Sequence, residues 1–180
     1  DSLGEHVRAI RLREADGEDD YLYVEDIEGV LELVQMNSLE FHVWGSHVSD
    51  VERPDRLVFD LDPDEGIAWN DVKAAARDVR DQLAAQGLRS CVRLSGGKGV
   101  HVVAPIRPGP DWSQAREFCQ AFAQAMVERA PERYIATASK AAREGLIFID
   151  WLRNTRGATS VASWSLRARE GATVAMPLTW

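Results

Sequence analysis

The sequence predicts an α+β domain: a mostly antiparallel central sheet with flanking helices on one face. Three observations lead there. Strand-like and helix-like runs follow one another without regular βαβ alternation. Two β-rich runs, 88–94 and 100–104, are separated by only Ser95-Gly96-Gly97-Lys98-Gly99. The 180 residues, 45% of them hydrophobic, suffice for one domain (residues 1–180) with an ordinary core.

The elements read as follows. Residues 14–20 (EADGEDD) read as an acidic loop, followed by the β-rich run Tyr21-Leu22-Tyr23-Val24. Asp26 is suited to cap a short helix through Ile27, Val30, Leu31 and Val34. Residues 39–44 alternate as a strand, with Glu40, His42 and Trp44 on one face, and residues 57–61 form another. From Asn70 to Gln86, apolar residues at Val72, Ala75, Ala76, Val79 and Leu83 mark a helix, with Asn70 as its cap and Gly87 ending it. Asp111 or Ser113 opens a second long helix with Phe118, Phe122, Ala125 and Met126 on its apolar face. Residues 146–149 are an apolar strand ending in Asp150, and a final strand pair is expected at 158–161 and 164–169.

Net charge is −8, unevenly spread: −9 over residues 1–40, −5 over 41–82 and +6 over 83–180. A phosphate site needs only a local cluster of bases, so the acidic total does not exclude one. No apolar run reaches the length of a membrane span. Cys91 and Cys119 form no CxxC pair and read as buried small hydrophobes of a reducing, cytoplasmic compartment. The chain begins Asp1-Ser2-Leu3-Gly4 without Met, which reads as an excised fragment. Oligomeric state is not legible.

Three constellations carry chemistry. Asp60 and Asp62 stand at i and i+2 at a strand end, so both carboxylates share a face with their Cα atoms roughly 7 Å apart. Hard, anionic oxygens of this kind suit a divalent cation, although a turn at Asp62-Pro63-Asp64 accounts for the same residues. Asp150 closes an apolar strand, where an anion needs a cation or donors; these are a metal shared with the Asp60 strand, or Arg153 one helical turn on. On the metal reading, removing Asp60 relieves repulsion and leaves the metal-free fold no less stable. The second constellation is Ser95-Gly-Gly-Lys-Gly-Val-His101, whose glycines allow close backbone approach and an anion-binding nest beside Lys98, Ser95 and His101. The third is Arg153 with Arg167 and Arg169, the last two at i and i+2 and suited to bidentate phosphate contacts or to a solvated edge strand.

Taken in order, LEFHVW (39–44), VFDLDP (58–63), RLSGGKGVHVV (93–103), FIDWLRN (148–154) and SLRAR (165–169) resemble the polymerase domain of bacterial DNA ligase D, of the archaeo-eukaryotic primase superfamily. The resemblance implies a primase-like, RRM-related core. It implies Mn²⁺ or Mg²⁺ held by Asp60, Asp62 and Asp150. It further implies nucleotide contacts from Ser95, Lys98, His101, His42, Arg153, Arg167 and Arg169, with NTPs or dNTPs added to DNA ends during end joining. Family domains extend upstream of this chain's start and carry there an aromatic platform and bases for a DNA 5′-phosphate. The expected chemistry is two-metal phosphoryl transfer. The alternatives are a metal-dependent phosphohydrolase using the same carboxylates, and a non-catalytic nucleotide- or DNA-binding fragment of a ligase.

Overall fold

The computed structural model describes residues 4–180 and divides into two compact units, residues 1–39 and 40–180.

In the first unit, β1 (Val7–Glu14) and β2 (Gly17–Val24) form an antiparallel hairpin with Val7 opposite Val24 and Glu14 opposite Gly17. The stretch expected to be an acidic loop is thus mostly strand. Only Ala15 and Asp16 turn, and cross-strand ion pairs such as Arg11 with Asp20 (2.8 Å) stabilise a segment too charged to read as β. Helix α1 (Ile27–Gln35) follows, its first turn capped by the Asp26 side chain, which accepts from Gly29 N–H at 2.9 Å. Gly29 is required by close approach, since a Cβ there would lie 2.8 Å from the His6 carbonyl. The Glu32 carboxylate accepts from the N–H groups of Glu5, His6 and Val7 at 3.0–3.1 Å, tying the helix to the start of β1.

The second unit contains β3 (His42–Trp44), β4 (Arg56–Pro63), α2 (Trp69–Ala85), β5 (Cys91–Leu94), β6 (Val100–Pro105), α3 (Trp112–Arg129), β7 (Tyr134–Ile135), β8 (Ile147–Asp150), β9 (Thr159–Val161) and β10 (Pro177–Leu178). Six strands form one sheet in the order β10-β5-β6-β4-β8-β7, antiparallel at every junction except β7–β8. β3 and β9 pair separately.

Alternation along β4 assigns the two faces. Leu57, Phe59 and Leu61 join Val72, Val79 and Leu83 of α2 and Cys119, Phe122 and Met126 of α3 in one core. Phe59 packs on Phe122 with ring centroids 4.7 Å apart and the rings tilted by 46°, and truncating either ring would cost about 3–5 kcal/mol. Val58, Asp60 and Asp62 face the other way.

The helix ends follow local chemistry. α2 stops at a Schellman turn: Gly87 adopts φ +75°, its N–H bonds Ala84 O, and Leu88 N–H bonds Leu83 O. Its start differs from expectation, with Ala68 at the cap position and no side-chain cap, so Asn70 lies inside the first turn. α3 starts with a reciprocal capping box between Asp111 and Gln114. Its buried stripe is Trp112, Ala115, Cys119, Phe122, Ala123 and Met126; Ala125 is exposed and Phe118 half-buried.

Other expectations are corrected. The strand expected over 39–44 pairs only at His42–Trp44, and 164–169 is no strand, because β9 pairs with β3 and only an isolated bridge joins Leu166 to Val174. Cys119 is buried as expected, but Cys91, on the open face of β5, is exposed. No helix among the described residues is long and apolar enough to cross a membrane.

Candidate active site

Strand register builds the site. Across the sheet, Arg93 (β5) stands opposite His101 (β6), His101 opposite Asp60 (β4), and Asp60 opposite Asp150 (β8). This row lies on the face away from the helices. Asp62 lies two residues along the same face of β4, opposite Phe148. The two strand-end carboxylate positions read from sequence are therefore adjacent in space.

Each carboxylate is held by cations. Arg153 lies between Asp60 (3.8 Å) and Asp150 (3.2 Å), so the i,i+3 ion pair and the shared position with Asp60 both hold. His101 Nε2 lies 3.5 Å from Asp60 Oδ1. Asp62 is gripped by Arg143 (2.8 Å) and Lys98 (3.2 Å), and Lys98 also donates to Pro63 O at 2.6 Å. Burial pushes the Asp60 carboxyl up, but His101 and the charges of Arg153 and Arg93 outweigh it and hold Asp60 below the usual carboxylate range. For Asp150 burial wins: with Asp60 beside it, its carboxyl is raised despite Arg153 and the Leu152 N–H. The low Asp60 carboxyl argues against the expectation that losing Asp60 leaves the metal-free fold no less stable, because the cations beside Asp60 favour its anion more than Asp150 disfavours it.

The SGGKG loop is a tight cradle. Ser95 Oγ donates to Gly99 O (2.9 Å) and accepts from Gly97 N–H (3.3 Å). Gly96 takes φ +71°, and a Cβ on Gly99 would stand 2.7 Å from Leu61 O and 3.2 Å from Asp60 Oδ1. Glycine there lets the loop lie against the Asp60 strand. Arg167 donates to Ser95 O (2.7 Å), its Nε pairs with Glu40 Oε1 at 3.0 Å without a well-directed hydrogen bond, and Arg169 packs on Gly97. Glu40 accepts from His42 (2.6 Å), which with the Ala168 N–H holds its carboxyl low.

Of the ten residues singled out from sequence, nine line one cleft of about 250 Å³: His42, Asp60, Asp62, Ser95, Lys98, His101, Arg153, Arg167 and Arg169. Asp150 does not line it but is buried next to Asp60 in the strand row. Four further residues went unnoticed in the sequence. Arg93, 8% exposed, donates to His101 and Ser160. Arg143 stacks over Phe148 and binds Asp62. Glu40 joins His42 to Arg167. Asn154, fully buried, bonds both the N–H and the C=O of Val58, fixing the turn that carries Arg153. Within FIDWLRN an asparagine after a buried strand was a usable signal; for Arg143 none existed.

The donor set suits a hard divalent ion: three carboxylates from neighbouring positions of one sheet face, with no soft ligand. Among the described residues, the only His/Cys/Asp/Glu group whose ligand atoms all lie within 4.8 Å of one another is His6, Asp26 and Glu28, on the exposed surface of the first unit. The three aspartates are held further apart by Arg143, Lys98 and Arg153, which an ion would have to displace.

Residues 2–180 match the family described as "LigD, primase-polymerase domain". The chain belongs to that family. It is similar to the Multifunctional non-homologous end joining protein LigD of Pseudomonas aeruginosa, 41% identical over 157 residues (87% of this chain, 19% of that protein). The protein of the same name from Mycolicibacterium smegmatis is 34% identical over 162 residues (89% of this chain, 21% of that protein). A solved structure, the "Polymerase Domain from Mycobacterium tuberculosis Ligase D in complex with DNA", matches with TM-score 0.91 at 32% identity, covering 99% of this chain and 65% of that one. The chain spans about a fifth of the length of these curated relatives.

Proposed function

We propose that this chain is a nucleotidyltransferase domain that adds NTPs or dNTPs to DNA 3′ ends in end-joining repair, directed by a template. Support comes from the family and from a structural neighbour solved in complex with DNA. One observation carries it furthest: the Asp60–Asp150 row lies directly against a glycine loop rimmed by Ser95, Lys98 and His101. Anionic ligands for cations and donors for phosphates thus meet in one cleft, as a metal-bound triphosphate requires.

In this reading Asp60, Asp62 and Asp150 hold Mn²⁺ or Mg²⁺. The ions, when bound, supply Lewis-acid activation of the primer hydroxyl and neutralise the leaving pyrophosphate. The chain's own groups do the rest. The loop N–H groups, Ser95 and Lys98 cradle the β- and γ-phosphates. His101 and Arg153 face the α-phosphate, where negative charge builds as the 3′-oxygen bonds to phosphorus and the bridging P–O bond breaks. Arg167 and Arg169 clamp the triphosphate, and Glu40 keeps Arg167 and His42 oriented.

The test is incubation with an NTP, Mn²⁺ and a primer-template. Primer extension with one pyrophosphate released per nucleotide added supports the reading. Inorganic phosphate without extension supports a phosphohydrolase instead. Nucleotide or DNA binding with neither product leaves a non-catalytic module.

A further inference from the structure

Arg93 is a charged side chain bonded to His101 and Ser160, which line the cleft, and the proposed chemistry gives it no role. It lies on β5 opposite His101, buried to 8% exposure. A buried guanidinium is costly unless its donors are used. Here Nε and Nη2 lie 3.2 and 3.0 Å from one atom, His101 Nδ1, and Nη2 also donates to Ser160 Oγ at 3.0 Å. A guanidinium has donors only and keeps its proton in proteins. The nitrogen it faces must therefore present a lone pair, since a hydrogen on Nδ1 would set donor against donor. The ring proton then belongs on Nε2, the nitrogen 3.5 Å from Asp60 Oδ1.

We infer that Arg93 is a positioning residue that fixes His101 as the Nε2–H tautomer, so that this ring offers the cleft a donor and never a lone pair. The inference rests on the proposed nucleotide site and deepens it. An Nε2–H can donate to a phosphate oxygen, and it cannot ligate a metal through the same nitrogen while the proton stays. Arg93 thereby keeps the cation set all-oxygen, which favours Mn²⁺ or Mg²⁺ over nitrogen-seeking metals. Ser160 on β9 fixes the roll of the guanidinium and so completes the arrangement.

The experiment is long-range ¹H–¹⁵N NMR on the metal-free whole chain labelled at histidine, with His101 assigned from the signal lost in His101→Gln. The wild type is expected to show a single Nε2–H tautomer. Arg93→Met should lose that preference and bind Mn²⁺–GTP about tenfold more weakly, the loss of roughly one good hydrogen bond. Arg93→Lys, which keeps one cationic donor, should recover the tautomer. An Nδ1–H or mixed tautomer in the wild type overturns the inference, as does an unchanged tautomer in Arg93→Met. If Arg93→Met fails to fold, the wild-type spectrum decides: an Nε2–H tautomer supports the inference and an Nδ1–H or mixed tautomer overturns it. A wild type with the Nε2–H tautomer that fails to bind Mn²⁺–GTP supports the assignment while overturning the proposed function.

Discussion

Asp60 and Asp150 are register partners on adjacent antiparallel strands, and the guanidinium of Arg153 reaches both carboxylates at 3.8 and 3.2 Å. Two carboxylates side by side, Asp150 buried and Asp60 half-buried, are tolerated because a cation stands between them. Their proton affinities differ: against the effect of burial, His101, Arg153 and Arg93 hold Asp60 low, whereas burial, with Asp60 beside it, raises Asp150.

Asp60→Ala leaves Arg153 and Arg93 without the anion that offsets them, and the His101 ring without the carboxylate beside its Nε2. Metal-free stability should fall by roughly 1–3 kcal/mol, read as a lower Tm in chelator. Nucleotidyl transfer should fall roughly a hundredfold or more. An unchanged Tm would mean that repulsion from Asp150 outweighs these cations.

Asp150 fixes the sign of a pH effect. Its carboxyl is raised in the fold, so its contribution to stability is fully present below the unfolded carboxylate range and is lost as pH rises through the raised value. Asp60, held low, contributes oppositely: its stabilisation is lost as pH falls. Asp150→Asn keeps an acceptor for the Leu152 N–H and removes the titration. In chelator, the Tm of Asp150→Asn relative to wild type should rise as pH goes from about 4 to about 7. A difference that is flat across this range would contradict the assignment.

Gly99→Ala places a Cβ 2.7 Å from the Leu61 carbonyl, a backbone atom that cannot swing aside. The variant should lose roughly 1–3 kcal/mol of stability and bind nucleotide more weakly. Gly109→Ala meets nothing closer than 3.8 Å and serves as the control, with a change within about 0.5 kcal/mol. Chemical denaturation of both variants reads the contrast.

The two thiols should separate cleanly. Burial pushes Cys119 from 9.0 up to about 12, whereas Cys91 is exposed. At about pH 8 an aromatic disulfide reagent should titrate one thiol in the native chain and the second only in denaturant. Because Cys119 is raised, the stability linked to its neutral thiol is lost only as pH climbs from 9.0 toward 12.

Much of the site was readable because it follows from alternation. Asp60 and Asp62 had to share a face, Phe59 and Leu61 had to enter the core, and an aspartate ending the apolar run of β8 had to find a cation. Gly87 and Asp111 mark helix ends by chemistry that acts within a few residues. What escaped depends on register or on distance along the chain. Arg93 reads as any polar strand residue until β5 is paired with β6. Arg143 meets Asp62 across 81 residues with no pattern joining them. The β1–β2 hairpin hid behind charges that only cross-strand pairing neutralises. Residues 164–169 have a strand's alternation but meet residues 173–175 only through a few backbone bonds around one isolated bridge, so Arg167 and Arg169 reach the cleft from irregular backbone.

The central claim is that Asp60, Asp62 and Asp150 bind divalent ions beside a cradle for a nucleotide's phosphates. Calorimetric titration of Mn²⁺–GTP into the chain, its Asp62→Asn variant and its Lys98→Ala variant tests it most directly. Saturable binding to the wild type, weakened about tenfold or more by either substitution, is the predicted result. Wild-type binding that both variants retain unchanged would place the nucleotide elsewhere and contradict the claim.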